Sequence, residues 1–116
     1  MPRFITIVCL LFHACKTGMP TPDCPDDEPD TCPASGAPSY ANDGAPLINQ
    51  YCEVSGCHVS GGSGIGLLSP YETLKSDANN AENQIDQCLM PLNPPFLSVE
   101  DRLTLLTWFV CGAPNN

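Results

Sequence analysis

The sequence predicts an all-α domain of a few short helices, preceded by a disordered tether. Three observations carry this. Apolar residues near the end of the chain recur at helical spacing. The stretch before residue 47 is dominated by proline and acid. Only 70 residues, 47–116, remain for a core, a size that rarely stabilises itself without staples or a cofactor.

Residues 1–14 read as an export signal. Arg3 is followed by an apolar run from Phe4 to Phe12, a positive end and a short apolar core, too short for a bilayer span of roughly 20 residues. The run ends Phe12-His13-Ala14-Cys15. A small residue before a cysteine resembles a bacterial lipoprotein signal, in which that cysteine is lipidated and becomes the first mature residue. Ordinary cleavage near Gly18 is the other reading, and either way Cys9 leaves with the signal. The mature chain then keeps Lys16, Lys75 and Arg102 against 13 acids, a net charge of −10 where the whole chain has −9. Such a balance argues against nucleic acid or anionic lipid headgroups as partners, since those contacts need clustered Lys and Arg.

Residues 15–46 read as the tether. They hold seven prolines and six acids and little that is large and apolar apart from Met19 and Tyr40. Proline removes backbone donors, and like charges extend the chain. Cys24 and Cys32 lie eight positions apart here, and a local disulfide closing an acidic loop is expected. A hard-cation loop would show a different ligand spacing.

Residues 47–116 carry the chemistry. Tyr51-Cys52-Glu53-Val54-Ser55-Gly56-Cys57-His58 is a C-x4-C-H arrangement. Haem attachment by thioether bonds usually takes C-x-x-C-H, with the histidine next to the second cysteine reaching the iron. The longer spacing needs a looser loop, which Ser55-Gly56 supplies. On this segment alone a Cys52–Cys57 disulfide beside an incidental histidine explains as much. Outside the leader and tether, Met90 is the one methionine. It stands before Pro91 in an extended loop, outside any helical stripe, 32 positions after His58. A thioether suits haem iron, and plain core filling is the other use of such a residue. Pro46–Tyr51 reads as a helical turn and 72–77 as a middle helix begun at Ser69-Pro70. A last helix is expected over 98–111, with Ser98 and Asp101 as a capping box, Val99, Leu103, Leu106 and Val110 as its buried stripe, and Gly112 and Pro114 as its stop.

In this order the elements resemble a small class I c-type cytochrome domain: N-terminal helix, cysteine pair with histidine, glycine-rich loop, middle helix, Met-Pro loop, and a final helix ending Trp108-Phe109-Val110-Cys111-Gly112-Ala113-Pro114. The resemblance covers roughly the last 60% of the chain. It implies three to four short helices around one haem c, held covalently by Cys52 and Cys57, with His58 as proximal and Met90 as distal iron ligand. Leu67, Leu68, Leu92 and Trp108 would line the pocket. Where family members often place a proline whose carbonyl orients the proximal imidazole, this chain has Gly61-Gly62-Ser63-Gly64-Ile65-Gly66. Some carbonyl of that loop must therefore take over the bond.

Cys88 and Cys111 remain, and a bond between them would pin the Met90 loop to the last helix. The function expected is electron transfer, not catalysis, because both axial positions are filled and no second histidine is left as an acid–base partner. The expected setting is the periplasmic or cell-surface face of a bacterial membrane, with Cys15 as lipid anchor, a redox partner with a basic docking face, and a monomeric carrier. A disulfide-rich non-haem binding or structural lipoprotein, with bridges 24–32, 52–57 and 88–111, is the competing class. A metal site on Cys52, Cys57 and His58 lacks a fourth ligand at finger spacing.

Overall fold

A computed structural model describes residues 24–64 and 66–116. The signal and lipidation readings, including Cys15, lie outside them. The described residues form four α-helices: α1 (Ala45–Tyr51), α2 (Tyr71–Ser76), α3 (Ala78–Asp86) and α4 (Val99–Val110), with a π-helical turn at Tyr40–Gly44 leading into α1. No strand occurs among them, and no helix there is long and apolar enough to cross a membrane.

Local chemistry explains the boundaries. The Ser98 hydroxyl accepts the Asp101 amide at 3.0 Å and starts α4, while Glu100 and Asp101 favour the positive end of the helix dipole. The Gly112 and Ala113 amides donate to Phe109 and Trp108 as α4 ends, with Gly112 in the left-handed region at φ +90°. Pro46 sits in the first turn of α1, where its missing donor costs nothing. Pro70 caps α2 from just outside.

The core is Ile48 of α1, Leu74 of α2, Ile85 of α3, and Leu105, Leu106, Trp108 and Phe109 of α4, with Cys52, Leu68 and Leu97 from the loops. The buried face of α4 keeps Leu106 of the expected stripe and corrects Val99 and Leu103. Arg102, Leu105, Leu106 and Phe109 point inward, whereas Val99 is 61% exposed and Leu103 is also exposed. Positions 102, 105, 106 and 109 follow helical spacing equally well, but an arginine at the first of them hides the pattern.

Arg102 is 2% exposed. Its guanidinium is paired with Asp27, donates to the Asp86 carbonyl at 2.7 Å, and lies 3.5 Å from the Asp86 carboxylate. Burial pulls its pKa below the usual arginine value, against the attraction of Asp26. This contact sets the C-terminus of α3 beside the first turn of α4.

Residues 24–46 are a strap on this bundle. Cys24 is bonded to Cys88 and Cys32 to Cys111, which corrects both expected pairings, 24–32 and 88–111. The strap between Cys24 and Cys32 has no helix or hydrogen-bonded turn, and eight extended residues span about 26 Å, whereas cystine Cα atoms sit within about 7 Å. Cys88 lies just past α3, near Arg102; Cys111 lies nine residues further along α4, about 14 Å at the helical rise. Each strap cysteine therefore meets the helix end beside it. By chain entropy each bond stabilises by about 4 kcal/mol, for sequence separations of 64 and 79. The strap's end is equally well held: Tyr40 stacks on Trp108 at 5.4 Å and meets Tyr71 edge-on at 5.0 Å, and Asn116 bonds to Pro38, Ser39, Tyr40 and Ala41. An expected free spacer up to residue 46 thus gives way to a covalently fixed layer from Cys24 onward.

Candidate functional site

Cys52 is the C-cap of α1, where its amide bonds to Ile48. The chain then turns through Ser55-Gly56, with Gly56 at φ +84°, and returns to Cys57 and His58. The His58 amide donates to the Cys52 carbonyl at 3.2 Å and the Cys57 amide to Val54 at 3.0 Å. The x4 spacing is therefore closed by its own backbone. Cys52 and Cys57 are free thiols, so the expected competitor bond between them is not present. Cys52 is buried in the core cluster, and burial, with Glu53 and Cys57 nearby, pushes its thiol up to about 12. Cys57 is half-buried.

The glycine loop folds back over this pair. A Cβ at Gly62 would lie on top of the Cys57 carbonyl oxygen. One at Gly64 would come within 2.9 Å of both the Cys57 carbonyl carbon and His58 Nδ1. Only glycine permits that approach. Beyond it, His58 Nδ1 lies 3.0 Å from the Gly66 carbonyl oxygen. A carbonyl only accepts, so Nδ1 is the donor of this bond, and Nε2 is the nitrogen left for another partner. Gly66 is thus the loop carbonyl that orients the imidazole. The described hydrogen bonds of residues 54–64 all stay within residues 52–66, so none of them ties the loop to another element.

Met90 is half-buried on the loop after α3. The Leu89 and Met90 amides both donate to the Gln84 carbonyl, at 2.9 and 3.1 Å, and Cys88 takes the left-handed region at φ +55°, a conformation that costs a non-glycine residue about 1–2 kcal/mol. Met90 borders a small cavity of about 10 Å³ with Ile85, Cys88, Phe96, Leu97 and Arg102. Of the expected pocket residues, Leu68 and Trp108 are buried in the core, Leu92 is half-buried and Leu67 is exposed.

No cluster of three or more His, Cys, Asp or Glu side chains suited to a metal ion forms among the described residues. A haem iron asks for no such cluster, since the macrocycle supplies four of its ligands and the protein two. The donor set fits that group: two free thiols, one imidazole whose Nδ1 is engaged by a backbone carbonyl, and one thioether on a loop. The cavity at Met90 is too small for a porphyrin.

The chain matches no family model, no curated protein and no solved structure.

The residues that sequence reasoning missed are Asp27 and Arg102. A single arginine at a core position of the last helix, in a chain with almost no other cation, was the available sign. The acidic leader supplies its partner.

Proposed function

We propose that the chain is an exported electron carrier, holding one haem c through thioethers at Cys52 and Cys57, with His58 and Met90 as the iron's axial ligands. The observation that carries this reading is the division of the cysteines. Cys24, Cys32, Cys88 and Cys111 are paired with one another, while the two that flank x4 before His58 stay free. His58 has its Nδ1 proton committed to Gly66 and its Nε2 open.

When bound, the haem supplies a one-electron Fe(III)/Fe(II) couple. The chain's own contribution is to hold it and tune it. Cys52, from the end of α1, and Cys57, from the loop, are the two attachment points. The Gly66 carbonyl fixes the imidazole plane and raises its basicity. A thioether from Met90 favours the reduced iron and a positive potential. The strong excess of acid over base suits a partner with a basic docking face, and the lipid at Cys15 would hold the monomer at a membrane surface.

The test is expression in a bacterial periplasm with haem-attachment machinery. A low-spin c-type spectrum and a mass increase of one haem are expected. A colourless product with Cys52 and Cys57 as thiols, or joined with the loss of two hydrogens, would overturn the proposal and leave a disulfide-stapled binding or structural protein.

A further inference from the structure

The strap and the buried arginine converge on the loop that carries Met90. Among the described backbone hydrogen bonds, none is donated by residues 91–97, and Pro91, Pro94 and Pro95 have no amide to give. The loop is therefore placed by its ends and by what lies beneath it. At its start, Cys88 is buried and bonded to Cys24 of the strap, two residues before Met90. Beneath it, Arg102 lines the same small cavity as Met90 and Cys88, anchored to Asp27 of the strap and to the last residue of α3.

We infer that the Cys24–Cys88 cystine, backed by the Asp27–Arg102 pair, is the positioning device for Met90, adding a covalent hold to the Leu89 and Met90 amide bonds at the start of a loop whose residues 91–97 donate none, where the thioether can serve as second ligand. The inference rests on the haem reading above. A carrier whose second ligand rides on a loop needs that loop to keep one placement in both oxidation states, and here a covalent bond from another segment supplies it. Cys32–Cys111 is the built-in comparison. It staples the same strap over a longer sequence separation, so its loss costs the folded state at least as much chain entropy, but it ends at the far end of α4.

The experiment compares wild-type holoprotein with Cys24→Ser/Cys88→Ser and Cys32→Ser/Cys111→Ser, each produced with haem-attachment machinery. The readouts are the methionine-to-iron charge-transfer band of the oxidised protein, the midpoint potential, and amide exchange at Leu89 and Met90. Loss of Cys24–Cys88 is expected to remove at least half of the band, lower the potential and speed the two amides at least tenfold. Loss of Cys32–Cys111 is expected to leave all three near wild type. A band and exchange rates unchanged without Cys24–Cys88, or lost alike in both variants, would overturn the inference. Should Cys24→Ser/Cys88→Ser not fold, the bond is opened in folded wild type with a phosphine, which is oxidised to its oxide as the cystine takes up two electrons and two protons. The thiols are then alkylated and the haem reoxidised with ferricyanide. A band that leaves with that bond supports the inference, and one that survives it refutes it. Haem that attaches with a ligand other than Met90 refutes the inference and the Met90 ligation while leaving haem attachment at Cys52 and Cys57 standing, whereas a wild type that takes up no haem removes the haem reading and the inference together.

Discussion

Replacing Asp27 by alanine leaves the buried Arg102 guanidinium with Asp86 as its remaining partner. The two partners are unequally buried: the Arg102 side chain is 2% exposed and that of Asp27 23%. Removing one member of a buried pair costs about 3–5 kcal/mol because the other charge is left without compensation. Arg102 would keep the Asp86 carbonyl at 2.7 Å, so the low end, about 3 kcal/mol, is expected for Asp27→Ala. Arg102→Met is the counterpart. It fills most of the volume of the arginine stem but leaves the Asp27 carboxylate, whose oxygens are buried, without its cation, for about 3 kcal/mol. The double variant should cost about as much as Arg102→Met alone, a coupling of about 2–3 kcal/mol. Urea unfolding with both disulfides intact measures all three. A single-variant cost for Asp27→Ala below about 1 kcal/mol, or strictly additive variants, would refute the account of Arg102 as a buried cation dependent on the strap.

Three further outcomes follow from other parts of the molecule. Burial, a hydrogen bond with Glu82 and the charge of Asp86 push the Glu28 carboxyl up to about 7. The folded chain then holds that proton more tightly than the unfolded one, so this contribution to stability is present below about 4.5 and lost as pH rises through about 7. Glu28→Gln should flatten the corresponding fall in Tm between pH 5 and 8, and an unchanged slope would assign it elsewhere. In haem-free protein with both cystines intact, iodoacetamide at pH 8 should label half-buried Cys57 at least tenfold faster than Cys52, whose thiol is pushed up to about 12; peptide mapping reads the ratio, and equal rates would contradict the burial of Cys52. Gly64→Ala forces a Cβ against His58 and should cost about 1–3 kcal/mol, the usual range for overpacking, while moving the imidazole resonances in the NMR spectrum. Gly61→Ala, in open space but at φ +79°, should leave those resonances in place.

Much of the local structure was legible because each element carries its own punctuation. Ser98 opens α4 and Gly112 closes it; Pro46 and Pro70 mark the starts of α1 and α2. α3 was not legible. Its sequence, Ala78-Asn79-Asn80-Ala81-Glu82-Asn83-Gln84-Ile85-Asp86, has one large apolar residue, and two alanines do the rest of the packing. The spacing of cysteines with His58 and the need for a glycine-loop carbonyl could be read from residue order alone, because both lie within a few residues of each other. The role of Gly66 in particular needed coordinates, since the loop offers four glycine carbonyls by sequence. The strap was illegible for a different reason. Proline and acid describe a chain with no core of its own, and they also describe one that borrows a core through two cystines and an ion pair. Composition does not separate these, because the partners, Cys88, Arg102 and Cys111, lie more than 60 residues away.

The crossing order of the two cystines also constrains how the molecule is made. The first cysteine of each pair precedes Cys52, and the second follows Cys57. Six cysteines allow 15 complete pairings, and the one favoured as a chain emerges from its N-terminus joins neighbours: 24 to 32, 52 to 57, 88 to 111. That product would consume both thiols of the candidate site. Cys24–Cys88 can close once residue 88 has emerged, but Cys32–Cys111 only after the last helix has been synthesised, so Cys32 must stay open, or be reshuffled, until then. Oxidation that runs ahead of chain completion would trap a stapled, site-less isomer.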